Sequence, residues 1–276
     1  MNPRLSRRLL LTGAAGVVVS GGGLVACRSG IMDAGSAGPV YETFDSEARG
    51  REVTFGYATP PDQAREGLPV VLMLHGRGDD AHSPFDALRA HEYLAKYVSA
   101  GGTPFAVVTV DGGETYWHPR KSGDDSMGML KDELLPRLAE KGFDTSRLAV
   151  MGYSMGGFGA LLLARQSSRG QFGPVVAAAA SSPALFASAG ATSAGSFDDP
   201  EDYDRWGALA HRPGVKGIPL SVSCGTSDPF CAQTKRYRAA CTVKPAGSIG
   251  PGGHTQPYWR GLLPDQFRFL GEQLTS

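Results

Sequence analysis

Apolar positions recur along this chain in two rhythms. Residues 51–60, "REVTFGYATP", alternate apolar and polar, the pattern of a strand with one wet face. Five other stretches are short unbroken apolar runs: "LPVVLMLHG" (68–76), "PFAVVTVDGG" (104–113), "RLAV" (147–150), "GPVVAAAASS" (173–182) and "IPLSVSCG" (218–225). Runs of that length suit strands buried on both faces. Between them lie segments with helical spacing. "SPFDALRAHEYLAKYVSA" (83–100) predicts a helix capped by Ser83 with Pro84 at its first position. "SMGMLKDELLPRLAEKG" (126–142) predicts an amphipathic helix closed by Gly142. "GALLLARQSS" (159–168) and the end of "PYWRGLLPDQFRFLGEQL" (257–274) predict two more. This alternation implies an α/β fold, a mainly parallel sheet covered by helices on both faces.

Residues 183–217 break the rhythm. Their centre, "FDDPEDYDRWGAL" (197–209), is acidic and aromatic and carries no clear strand. A small cap across the carboxyl edge of the sheet is expected there; the alternative is a surface loop with short helices. No internal repeat is visible.

One boundary stands out. At 151–160, "MGYSMGGFGA", four glycines surround one serine between a predicted strand and a predicted helix. Gly152, Ser154 and Gly156 fit G-x-S-x-G, a sharp strand-to-helix turn that lifts a serine hydroxyl clear of the sheet. Glycine permits the strained backbone and the close approach of the helix. A serine hydroxyl is a weak nucleophile and needs a base and a group to orient that base. In this architecture the order along the chain is Ser, acid, His. Asp228 in "SCGTSDPF" (223–230) lies just past a predicted strand, where catalytic groups of open α/β sheets collect. His254 in "GPGGHTQPYW" (250–259) follows it, whereas His75, His82, His91 and His118 precede the serine and His211 precedes Asp228. The expected catalytic set is therefore Ser154, Asp228 and His254.

An oxyanion hole is expected from the backbone N–H of Met155 and of Arg77, the latter in the loop after "VLMLHG". His75 is expected to brace that loop. The tripeptide Arg77-Gly78-Asp79 matches a cell-adhesion motif, but tripeptides recur by chance and here the glycine serves the loop. "DGGETYWHPR" (111–120) follows a strand, so Trp117 and His118 become candidate walls of the substrate site. No metal-ligand spacing is present around Asp124, Asp125 or the histidines, and no dinucleotide fingerprint, so neither metal nor cofactor is expected.

Composition narrows the partners. The 276 residues include 27 Lys+Arg and 27 Asp+Glu, and the absence of a basic run argues against nucleic acid. The first residues differ from the rest. "MNPRLSRRLLLTGAAGVVVSGGGLVACRSG" has a basic start and then an apolar stretch from Leu9 to Ala26, a signal-peptide layout. Arg7–Arg8 resembles a twin-arginine export signal, and "LVAC" resembles a bacterial lipobox. That resemblance implies a signal peptide over 1–26, a lipid on Cys27, a flexible tether over 27–40 and a catalytic domain over 41–276, held at the outer face of the cell membrane. The alternatives are an uncleaved anchor and a secreted soluble form. Of the remaining cysteines, Cys231 and Cys241 are too far apart along one helix to pair; Cys224–Cys231 is the easier disulfide, and free thiols are the alternative.

Together "VLMLHGRGDD", "GYSMGGFGALLLA", "CGTSDPF" and "GGHTQPYWRGLLPDQFRFL" resemble the Putative esterase family of α/β hydrolases, over about 50–274. That family takes in esterase D (S-formylglutathione hydrolase), feruloyl-type esterases and mycolyltransferases. The resemblance implies an α/β-hydrolase fold and a cofactor-free serine esterase acting on a small-molecule, lipid or sugar ester. An export signal departs from the cytosolic S-formylglutathione hydrolases. Asp228 and His75-Gly76 depart from the mycolyltransferases, which carry Glu as the acid and Asp-Gly before the oxyanion loop. An acyltransferase of envelope lipids or sugars and a non-catalytic binding lipoprotein are the rival readings.

Overall fold

The computed structural model describes residues 38–211 and 213–275. The expected signal peptide, Cys27 and nearly all of the expected tether lie outside them. Eight strands form one sheet: β1 (Val40–Ser46), β2 (Arg51–Ala58), β3 (Pro69–Leu74), β4 (Ala106–Val110), β5 (Asp144–Tyr153), β6 (Val175–Ser181), β7 (Leu220–Gly225) and β8 (Ile249–Gly250), in the order β1-β2-β4-β3-β5-β6-β7-β8. β2 runs antiparallel to both β1 and β4, and every other pairing is parallel. β1 thus points the same way as β5, and its first residue, Val40, stands level with Val150, four residues short of Ser154. The α/β-hydrolase fold expected from the sequence is the fold observed.

The unbroken apolar runs are explained by two-sided burial. In β3, Val70, Leu72 and Leu74 face one core and Val71 and Met73 the other. The first core takes α5 (Met155–Ser167), through Leu161, Leu162 and Leu163, and Tyr237 of α7 (Cys231–Ala240). The second takes Leu94 of α2 (Ala90–Ser99) and Leu263, Phe267 and Leu270 of α8 (Gln256–Leu274). Alternating pleat directions require apolar residues at every position of such a strand.

The helix expected over 126–142 is α3 (Ser126–Gly128), a π-helical turn (Met129–Leu134) and α4 (Leu135–Glu140) in succession. Three elements differ from expectation. β1 falls at the edge of the expected tether; it is a half-exposed edge strand whose polar residues hide it. The helix expected over 83–100 is two helices, α1 (Ser83–Asp86) and α2, because Arg89 takes a left-handed conformation (φ 57°). His82, not Ser83, occupies the cap position of α1. Among its described residues the 183–217 segment holds short helical turns, one of them α6 (Pro200–Asp202), yet Phe186, Tyr203 and Leu209 are buried in the first core. It is pinned from below by the buried guanidinium of Arg165, whose Nη2 donates to the carbonyls of Arg205 and Trp206 at 3.1 Å each. At its edge Arg120 pairs with Asp198 at 2.8 Å, and Lys121 with Asp199.

Candidate active site

The turn between β5 and α5 has the conformation that its glycines suggested. Ser154 sits at φ 55°, ψ −119°, a strained backbone for an L-residue. What stabilises it is local. Its N–H donates to Ser181 O at 3.0 Å, and its carbonyl accepts from Phe158 and Ala184 at 3.0 and 2.9 Å. Gly156 shows why bulk is excluded. A Cβ there would stand 2.0 Å from Leu74 O and 2.6 Å from His75 O, so the first turn of α5 lies directly against the end of β3.

That contact sets the nucleophile turn against the start of the loop that leaves β3. Met155 is the first residue of α5, where N–H groups have no intrahelical acceptor and the helix dipole is positive. Arg77 lies in the loop leaving β3, and its guanidinium is held by Glu114 at 2.8 Å. His75 is fully buried beneath this loop. Its Nε2 accepts from Gly112 N–H at 2.9 Å, so the ring proton is on Nδ1, which donates to Gly76 O at 2.7 Å. Burial pushes its pKa down, consistent with a neutral ring.

Asp228 and His254 reach Ser154 through interlaced loops. After β7, Thr226 N–H and Ser227 N–H donate to Gly250 O and Gly252 O at 2.8 and 2.9 Å. Gly225 abuts Gly252 so closely that a Cβ would stand 2.2 Å from its carbonyl oxygen. The result is a continuous relay: Ser154 Oγ lies 2.8 Å from His254 Nε2, and His254 Nδ1 lies 2.9 Å from Asp228 Oδ2. Asp228 is buried, which pushes its carboxyl up. The hydrogen bonds from His254 and from Phe230 N–H (2.8 Å) outweigh burial and leave it below the usual carboxylate range. A charged carboxylate can only accept, so Nδ1 carries the imidazole proton and the Nε2 lone pair faces the serine hydroxyl.

The structure corrects two expectations. Trp117 and His118 have no exposed surface and do not line an open site. Left-handed backbone at Tyr116 and Trp117 (φ 54° and 59°) turns this loop inward. The indole then packs on Gly112, Gly159 and His75, and the His118 ring stacks on Phe197 and Trp206 at 5.2 and 5.9 Å. The half-buried aromatic beside His254 is instead Phe230, at 5.3 Å, backed by Phe186 at 5.6 Å. Its signal was an aromatic two residues after the acid. The Cys224–Cys231 disulfide is not formed: both thiols are free and buried, and burial raises the pKa of Cys224 to about 12. Among the described residues no cluster of three or more His, Cys, Asp or Glu could hold a metal ion.

Comparison with known proteins gives this geometry a family. No curated protein matches the sequence. By structure, the chain is similar to a ferulic acid esterase (TM-score 0.71, 17% identity, covering 85% of this chain and 98% of that one). It is similar to an S-formylglutathione hydrolase from Agrobacterium tumefaciens (TM-score 0.68, 17% identity, 86% and 95%). It is also similar to FphF, a fluorophosphonate-binding serine hydrolase from Staphylococcus aureus (TM-score 0.68, 16% identity, 86% and 99%). At these identities the likeness establishes the fold. The family model described as "Putative esterase" matches residues 46–270. The chain belongs to that family, and is a carboxylic-ester hydrolase of the α/β-hydrolase fold.

Proposed function

We propose that Ser154 is the nucleophile of this esterase, His254 its general base and acid, and Asp228 the group that orients the imidazole. The observation that carries this reading is the unbroken relay from Ser154 Oγ through His254 to Asp228, at 2.8 and 2.9 Å. Ser154 Oγ attacks the ester carbonyl carbon while its proton passes to His254 Nε2. The carbonyl oxygen becomes an oxyanion that accepts from the N–H groups of Met155 and Arg77. The C–O bond to the alcohol breaks, and the alcohol leaves with the proton from Nε2. Water then repeats the sequence on the acyl-serine, releasing the acid and restoring the hydroxyl. Asp228 stays ionised and stabilises the imidazolium of each half-reaction.

Ser154→Ala should lower p-nitrophenyl acetate turnover by a factor of about a million, with Asp228→Ala losing less than His254→Ala. It should also end labelling by a fluorophosphonate probe. Wild-type turnover in Ser154→Ala would reject the assignment.

The export reading belongs to the same proposal. Its support is the basic start, the Arg7–Arg8 pair, the apolar stretch and the "LVAC" sequence ending at Cys27. Each buried methylene of an acyl chain contributes about 0.8 kcal/mol of membrane affinity, and two or more chains give stable anchoring. Mass spectrometry of the mature amino terminus is the test. A diacylated Cys27 is the expected result, and an unmodified terminus beyond it would make this a secreted soluble esterase.

A further inference from the structure

We propose that Tyr153 is a positioning residue that locks the loop carrying the Arg77 amide to the nucleophile turn, acting through its hydrogen bond to Asp79. The inference deepens the esterase reading above and rests on it. The loop after β3 must hold one backbone N–H at the site of the developing charge, yet no strand pairing among the described residues fixes 76–80. His75 holds its start from beneath. Tyr153, the residue before the nucleophile, holds its far side.

The contact has two parts. The ring lies against the backbone at Gly76: a Cβ on that glycine would stand 2.9 Å from Tyr153 Cε2 and 3.1 Å from Asp79 Oδ2. The hydroxyl donates to Asp79 Oδ2 at 2.8 Å. One side chain therefore contacts both residues that bracket Arg77-Gly78. Asp79 N–H in turn donates to Gly76 O at 3.3 Å and closes the turn, with Gly78 at φ 79°. The phenol is buried, and burial with the charge of Asp79 raises its pKa, so it remains a donor across the working pH range. The ring also meets Trp259 at 4.8 Å, and Trp259 stands edge-on to His254 at 4.9 Å. Tyr153 thus joins the loop, the serine turn and the histidine in one packed unit. The acid of the Arg77-Gly78-Asp79 tripeptide is committed to this internal bond.

Catalysis by an oriented donor depends on sub-ångström placement, and misplacement of about 1 Å costs about a hundredfold. Tyr153→Phe keeps the ring packing and removes only the tie. It should lower kcat for p-nitrophenyl acetate by about ten- to a hundredfold with a smaller change in KM. Asp79→Ala should do the same. Asp79→Asn, which still offers an oxygen to the phenol, should stay close to wild type. The double variant Tyr153→Phe/Asp79→Ala should lose no more than either single one. Hydrogen–deuterium exchange of the peptide spanning 75–80, which needs no catalysis, should speed up in Tyr153→Phe. Wild-type kcat in Tyr153→Phe, additive losses in the double variant, equal losses in Asp79→Asn and Asp79→Ala, or unchanged exchange would each overturn the proposal. A failure of the esterase reading shows itself separately, as wild-type protein without turnover or probe labelling.

Discussion

Gly156 and Gly261 differ by what lies beside them. The first is walled in by carbonyl groups of Leu74 and His75. The second, on the exposed side of α8, has nothing within 4 Å of the place an added methyl would take. Gly156→Ala should therefore push the nucleophile turn off β3, costing about 1–3 kcal/mol or more together with most of the activity. Gly261→Ala should instead raise the melting temperature, since alanine in a helix is favoured by about 0.5–1 kcal/mol. Thermal melts of the two variants check both signs. At this scale the sequence was unusually informative, because chain order and glycine spacing single out Ser154, Asp228 and His254 before any distance is known. The failure at Trp117 and His118 has a local cause. Trp117 and His118 follow a strand that ends at the right edge, but two left-handed residues, neither a glycine, turn them into the core. Sequence pattern carries no sign of that turn.

Among the elements, the 183–217 segment is where periodicity said least and packing says most. It has almost no repeating structure to read, and it is held by charge and by side chains from distant parts of the chain. Arg120 donates to Asp198 and also to the carbonyls of Gly195 and Ser196, at 3.0 and 3.1 Å. Arg120→Ala should loosen this edge, and limited proteolysis should cut near 195–199 sooner than in wild type. An unchanged cleavage pattern would place the strength of the attachment in the other ties, among them Arg165, Lys121 and the aromatic contacts of Phe197. The long-range origin of these ties explains why β1 and this segment were poorly legible while β3, β4 and β7 were plain: two-sided burial writes itself into composition, and a half-exposed edge does not.

For the whole molecule, acid is the condition that best exposes how the site is supported. His75 and His118 are both buried, and burial lowers both pKa values, against the pull of Asp111 on one and of Asp202 at 3.9 Å on the other. The unfolded chain protonates its histidines near pH 6.5. Below that pH it binds protons that the folded chain does not, so stability present above about pH 6.5 is lost as pH falls toward the folded values. The loss should approach about 1.4 kcal/mol per pH unit for each such histidine. Melts between pH 7.5 and 5 should show the decline, and His118→Phe, which keeps the stacking on Phe197 and Trp206, should make it shallower. An equal slope would remove His118 from the account.

The direction of β1 has a consequence for which molecules this enzyme meets. β1 is the outermost strand of the sheet and runs toward the end that carries Ser154, so the described chain begins at that edge and below the level of the nucleophile. A lipid on Cys27, as proposed above, would attach through an edge strand and not through the loops that carry Ser154, Asp228 and His254. Such an anchor is expected to set where the enzyme resides and to leave its access to water-soluble esters unchanged. Enzyme on proteoliposomes and enzyme freed by proteolysis of the leash should hydrolyse water-soluble esters with the same kcat/KM; a large gain on the membrane would mean that the mouth faces the lipid instead.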